Sequence, residues 1–432
     1  MASRVTLQPI KVSKETIKPS TPTSEHLRTY KLSLLDYINV PDHSDAIFFF
    51  AKKSSDDDKN PTIDDLKGSL SKLLCSYYPL AGRIKDKTTV ICNDEGVEFI
   101  ESHIARSLSD ILQQPNLENI PHFLPDRTEF DSKSLLAVQA TSFACGGTAI
   151  GVLLSNKIGD ANSIANFMND WASITQEPGI QVSPQFIGGS VLPLSRKMMI
   201  PLPQTLAKVA STTRRFVFEQ VKIDALETEV MKGSLESLTD DCQDILAAFI
   251  SKCICASFRS SGSRKRRGAN YNMDLRTCIR PPLAANSIGN LNLPTIIPIE
   301  DKEMDLKIIL GKFKACQEET EESYGTRNIG DDLSMHMFKN MLKLVRKFLF
   351  RPVEGFGVFR RAKLPYYDVD FGWGRPVWYV NIPPKDFIFL HKSTSGDGIE
   401  ALISLDHKIM EILERDEELL AFASPNPSIV LN

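Results

Sequence analysis

The residues best suited to chemistry fall in one turn. Asn156-Lys-Ile-Gly-Asp160 sets a carboxamide and a carboxylate four positions apart. A carboxylate can serve as a general base when burial raises its pKa. A carboxamide has donors and an acceptor but no useful basicity, so Asn156 can hydrogen-bond a ligand or hold a water and cannot take a proton. Other raw material is sparse. The eight cysteines form no Cys-x-x-Cys pair, the seven histidines show no i, i+4 pairing, and metal-ligand spacing is absent. Free thiols in a reducing compartment are the expectation. His391 and His407 lie far from the turn in sequence and read as core or surface histidines. The basic run Arg264-Lys-Arg-Arg267 reads as a solvated loop, with a nuclear signal or a phosphate site as functional alternatives.

The elements that must position the turn are legible on either side of it. Thr148 to Leu154 is a nearly continuous apolar run, as a strand buried on both faces would be. After the turn, Ile164, Phe167, Met168 and Trp171 recur at helical spacing, with Asp160 or Asn162 placed to cap the helix. A strand that feeds a helix through a short polar turn holds side chains rigidly at the mouth of a site.

Upstream, Leu32–Asp36 and Ala46–Phe50 read as short strands, and Thr62–Tyr78 as an amphipathic helix stopped by Pro79. Val90–Phe99 reads as a hairpin around Asn93 to Gly96, and Leu135–Phe143 as a further strand. From 176 to about 212, prolines and glycines make a long helix-poor connection, which we take as the domain boundary. Beyond it, Arg214–Phe218 reads as a strand, Asp241–Ala256 as a helix, and Met335–Phe350 as another. Tyr366–Val369 and Val377–Val380 read as strand-like, Ile388–His391 and Ile399–Ser404 as strands, and Asp406 to about Phe422 as one closing helix.

A chain of 432 residues exceeds one comfortable core, and the mixture of segment types predicts two α/β domains with mixed sheets. With 42% hydrophobic and 24% charged residues, it reads as a globular protein. A net charge of −3 argues against nucleic acid as a partner. No apolar run approaches the roughly 18 residues of a membrane span, and the N-terminus lacks a signal-peptide apolar core; a cytoplasmic location is the expectation.

Several stretches together resemble the plant BAHD acyltransferases, whose signature is His-x-x-x-Asp in this strand–turn–helix setting. They are Tyr78-Pro-Leu-Ala-Gly-Arg83, Cys145-Gly-Gly-Thr-Ala-Ile-Gly151, the turn itself, Asp274-Leu-Arg276 with Pro281-Pro282 and Gly289-Asn290, and Asp370-Phe-Gly-Trp-Gly-Arg-Pro376. The resemblance runs nearly end to end, and its nearest tone is that of vinorine synthase, capsaicin synthase and the acylsugar acyltransferases. It implies a chloramphenicol-acetyltransferase-like fold, with domains at 1–175 and 213–432, similar in size and joined by a crossover loop at 176–212. It also implies a monomer that carries no permanent cofactor and no metal. The co-substrate would be acyl-coenzyme A, and the acceptor an alcohol or amine of a specialised metabolite.

The motif aspartate is present as Asp160, and Asn156 stands where the family has its general-base histidine. Losing a general base typically costs ~10²–10⁴-fold in rate. The resemblance makes Asp160–Arg276 a structural ion pair, and it makes Asp370, Gly372 and Gly374 a tight packing turn on the coenzyme side. It gives the indole nitrogen of Trp373 a role in oxyanion support, and makes the Arg264–Arg267 run a candidate for the coenzyme phosphates. The leading reading is acyl transfer, impaired or altered at Asn156. Lyase or rearrangement chemistry in the same pocket, an inactive ligand-binding relative, and an engineered His→Asn form are the alternatives. Retention of the Asp370–Pro376 segment favours transfer, because a lyase or binding protein could let the coenzyme side drift.

Overall fold

The computed structural model describes residues 9–430, apart from 40–41, 53–59, 130, 132, 201–209, 233–240, 351–352, 395 and 397. Within them the chain forms two α/β domains built on mixed sheets. The first sheet runs in the order Ile10–Ile17, Val97–Ile104, Leu136–Phe143, Thr148–Ser155, His43–Phe50, Trp378–Val380. Only the pair Val97–Ile104 and Leu136–Phe143 is parallel. The apolar run Thr148–Ser155 is thus an inner strand, held antiparallel by Leu136–Phe143 on one side and His43–Phe50 on the other. That position explains its lack of polar alternation.

The second sheet is ordered Asn292–Ile299, Arg266–Asp274, Val353–Arg360, Phe387–Lys392, Gly398–Leu405, Thr212–Glu219, Ser424–Pro425. Strand pairing crosses the expected division at 213 in two places among the described residues, and one is the short parallel pair of Gln185–Phe186 with Ser287–Ile288. Trp378–Val380, from the second half, pairs antiparallel with His43–Phe50 and covers what would otherwise be an open edge of the first sheet. The connection 176–212 carries a two-residue strand at Gln185–Phe186, a turn of helix at Gly188–Val191 and a 3₁₀ turn at Arg196–Met198.

Three apolar clusters hold this together. One packs the helices Ile63–Ser76 and Ala161–Gln176 on a face of the first sheet. A second joins the helices Cys242–Ser260 and Leu306–Gly325 to the second sheet. The third lies between the sheets, where Ile47, Phe49 and Trp378 meet Phe389 and Leu402. The eight cysteines are all free. Among the described residues no helix is long and apolar enough to cross a membrane.

Four local expectations are corrected. Leu32–Asp36 is not a strand: the helix Leu34–Ile38 begins there, because Ser33 and Asp36 exchange side-chain and backbone hydrogen bonds as a capping box. Val90–Phe99 is not a hairpin, since Thr89–Ile91 joins a small separate sheet while Val97–Ile104 pairs with Ile10–Ile17 and Leu136–Phe143. Tyr366–Asp368 is a 3₁₀ turn following Pro365. The closing helix is two, His407–Leu413 and Glu417–Phe422, the second started afresh by Asp416 accepting from Leu419 N.

Candidate active site

The turn 156–160 is fixed from both halves of the chain. Asp160 caps the helix Ala161–Gln176, its Oδ1 accepting from Ser163 N at 3.0 Å and from Ser163 Oγ at 3.0 Å. Arg276 then grips the same carboxylate with both terminal nitrogens, at 2.9 and 3.1 Å. Leu291 N and Asn292 Nδ2 donate to Oδ2 at 3.1 and 3.0 Å. Burial alone would raise the Asp160 pKa; the Arg276 cation and these donors outweigh it and hold the carboxyl below its ordinary value. An ionised carboxylate with its lone pairs occupied by donors has no capacity left to act as a base. Arg276 also donates to the carbonyls of Ser287 and Gly289 at 2.9 and 3.2 Å, so the strand-to-helix turn and the segment 287–292 form one rigid unit.

Asn156 follows the last residue of the inner strand and is half-buried. Its backbone is clamped at both polar atoms: N donates to Asp42 O at 2.8 Å, and O accepts from Asn290 Nδ2 at 2.7 Å. Ser44 Oγ donates to Asn156 Oδ1 at 2.7 Å. That bond takes one of the two lone pairs on Oδ1 and leaves Nδ2 as a donor, and neither end of the carboxamide has the basicity that a general base requires. The nearest imidazole on the adjoining strand is His43, paired in register with Ser155. Strand alternation sends its ring to the face opposite Ser44 and hence away from Asn156. Burial and the neighbouring Arg127 cation lower its pKa to about 4, so it is neutral.

Residues to which the sequence assigned no role of their own complete the surround. Asn290 bridges Asn156 O to the buried Asp36, whose Oδ1 accepts from Asn290 Nδ2 at 2.8 Å. Lys157 sends Nζ to the carbonyls of Asp36, Tyr37 and Asn39, capping the helix Leu34–Ile38. A cavity of about 580 Å³ is lined by Leu35 and Ile38 of the helix Leu34–Ile38 together with Leu293, Tyr324, His336 and Met337, and neither Asn156 nor Asp160 lines it.

Across the full length, the model of the Transferase family matches residues 9–420. Acyltransferase Pun1 of Capsicum frutescens is 34% identical over 95% of this chain and 96% of its own. Stemmadenine O-acetyltransferase of Catharanthus roseus is 32% identical over 94% and 96%. The crystal structure of vinorine synthase superposes with a TM-score of 0.82 at 31% identity, covering 96% of this chain and 99% of that one. The chain belongs to this family, the BAHD acyltransferases.

Within this BAHD chain, Trp373 does not occupy the place expected of an oxyanion donor. Its ring packs 5.4 Å from Phe50, which pairs in register with Thr148, the first residue of the inner strand. Asn156 lies beyond the other end, roughly 25 Å away at the rise of a strand. Its indole nitrogen is already spent on Pro61 O at 3.2 Å. Asp370, Gly372 and Gly374 make a tight turn there, Asp370 Oδ1 accepting from Gly372 N and Gly374 N at 2.7 and 2.9 Å. Both glycines have positive φ, 111° and 93°, which a side chain would strain. The basic run is also partly consumed: Arg267 is buried against Asp301, and Lys265 pairs with Glu354 at 3.2 Å. Arg264, Lys265 and Arg266 are its exposed members.

Proposed function

We propose that this protein transfers an acyl group from acyl-coenzyme A to a hydroxyl or amine of a plant specialised metabolite, with Asn156 acting as a hydrogen-bond donor in place of a base. The observation that carries the reading is the polarity of Asn156. With Oδ1 accepting from Ser44, Nδ2 is the donor the carboxamide retains for a ligand in this reading. Such a donor serves an oxygen on which negative charge develops, as when a nucleophile adds to a thioester carbonyl. The acceptor's proton then leaves without help from this position and ends on the thiol of the released coenzyme. Acceptors that lose a proton readily, such as amines after addition or acidic hydroxyls, suit that arrangement.

The reading is tested by thiol release from a panel of acyl-coenzyme A donors with mixed alcohol and amine acceptors, comparing the protein with Asn156→His. Turnover by the unaltered chain, weighted towards amines and acidic hydroxyls, is the expected result. Release only from the histidine variant would identify a ligand-binding relative in which transfer has been silenced.

A further inference from the structure

Arg361 is a buried cation whose guanidinium has no hydrogen-bonded partner among the described residues. It is 7% exposed, directly follows the strand Val353–Arg360, and is anchored by its backbone N donating to Leu390 O at 2.8 Å. Its guanidinium carbon stacks 3.8 Å over the Phe389 ring, in the apolar layer between the two sheets. Among the described residues that guanidinium makes no hydrogen bond and no ion pair, and its Nε is fully enclosed. Beside it sits His391, 2% exposed, with both ring nitrogens enclosed and without a hydrogen-bond partner among the described residues. The His391 ring meets the edge of Tyr379 at 5.1 Å, and Tyr379 stacks on Tyr366 at 4.0 Å. Tyr366 in turn donates its hydroxyl to Ala161 O, one residue from Asp160, so the cluster is continuous with the motif turn.

The flanking carboxylates are committed elsewhere. Asp45, whose charge Arg361 feels, accepts from Arg127 Nη2 at 2.7 Å and from Ile382 N at 3.1 Å. Glu400, paired in register with His391, is held by Arg215 through both oxygens at 2.9 and 2.6 Å. Burying a guanidinium without its own counter-ion is costly, and burying two unpaired ring nitrogens adds to that cost. An imidazole buried here next to a cation stays neutral and offers one N–H. A guanidinium fork plus an imidazole donor is a donor set that matches the two oxygens of a carboxylate.

We propose that Arg361 and His391 form a receptor between the two sheets for a carboxylate carried by a substrate. The proposal rests on the acyl-transfer reading for its choice of ligand. The carboxylate belongs either to a dicarboxylic acyl group or to the acceptor. Calorimetric binding to the full chain distinguishes the two and needs no turnover: malonyl-coenzyme A against acetyl-coenzyme A for the acyl side, benzoate against benzyl alcohol for the acceptor side. A preference of tenfold or more for the carboxylate in one of the two pairs, lost in Arg361→Gln and weakened in His391→Phe, is expected. Equal affinities within both pairs would overturn the proposal and leave buried water as the partner. Ligand-free Arg361→Met is expected to melt at or above the temperature of the unaltered protein, because it removes an uncompensated charge. A marked fall would assign Arg361 to structure, through Asp45, and would equally overturn it. Thiol release from acetyl-coenzyme A is scored separately, so absence of transfer and absence of carboxylate preference are distinct failures.

Discussion

Arg276 reaches from the second half of the chain to hold both oxygens of Asp160 in the first, at 2.9 and 3.1 Å, with both side chains buried. One residue pair therefore fixes the inner strand, the helix it feeds and the segment 287–292 in a single geometry. Removing one partner leaves the other charged and enclosed, which typically costs about 3–5 kcal/mol. Arg276→Met and Asp160→Ala are each expected to lose that much in urea unfolding. The double variant should lose less than the sum of the two, since neither charge is then stranded.

The same pair sets an acid limit on stability. The Asp160 carboxyl is held below its ordinary value, so the folded state binds its proton less readily than the unfolded chain. Its contribution is present above the ordinary aspartate pKa, about 4, and is lost as pH falls through the folded value. In Asp160→Asn this component should vanish, giving a flatter acid limb in a stability–pH profile below about pH 4.

Asn156→His restores an imidazole at the end of the inner strand, where Ser44 Oγ already provides a hydrogen-bonding neighbour at 2.7 Å. Transfer to ordinary alcohols should rise by ~10²–10⁴-fold, with a new ionisation near neutral pH in kcat/KM. Transfer to amines should rise far less. Equal gains for both acceptor classes would contradict the donor role given to Asn156.

Trp373→Phe separates packing from catalysis. Loss of the bond to Pro61 O should cost about 0.5–1.5 kcal/mol of stability. Turnover per folded molecule should be unchanged. A fall of ~10²–10³-fold would instead mark the indole as an oxyanion donor.

Gly151 lies in the inner strand, where a Cβ would stand 1.9 Å from the Phe123 carbonyl oxygen. Backbone cannot yield as a flexible side chain can. Gly151→Ala is expected to destabilise by about 1–3 kcal/mol or more, read as a lower denaturation midpoint.

Much of the fold was visible in the sequence because its strongest signals are local. The Thr148–Leu154 run, the helical spacing of Ile164 to Trp171 and the cap at Asp160 each depend on residues within a few positions of one another. Elements that failed were short, and some were decided at a distance. Leu34–Ile38 has an apolar pattern too brief to distinguish strand from helix, and its identity comes from the capping bonds of Ser33 and Asp36 and from Lys157 at its end. Thr89–Ile91 and Val97–Ile104 look like a hairpin locally, yet their partners lie in different sheets. For the site, motif residues could be named, but not what their free atoms face. That Ser44 occupies the acceptor end of Asn156, or that Trp373 sits at the wrong end of a strand, depends on register between segments more than a hundred residues apart. Arg361 and His391 carried no motif at all, and their significance lies in which buried nitrogens lack partners.

The pairing of Trp378–Val380 with Phe49, Phe48 and Ile47 also bears on how the chain is made. During synthesis the first sheet can assemble its other strands early, but its border at His43–Phe50 stays bare until residues near 380 have left the ribosome. For that interval the nascent protein presents an apolar strand ready to pair with a neighbouring chain. Chains truncated before residue 378 should therefore aggregate or bind holdase chaperones, even though they contain the whole motif turn.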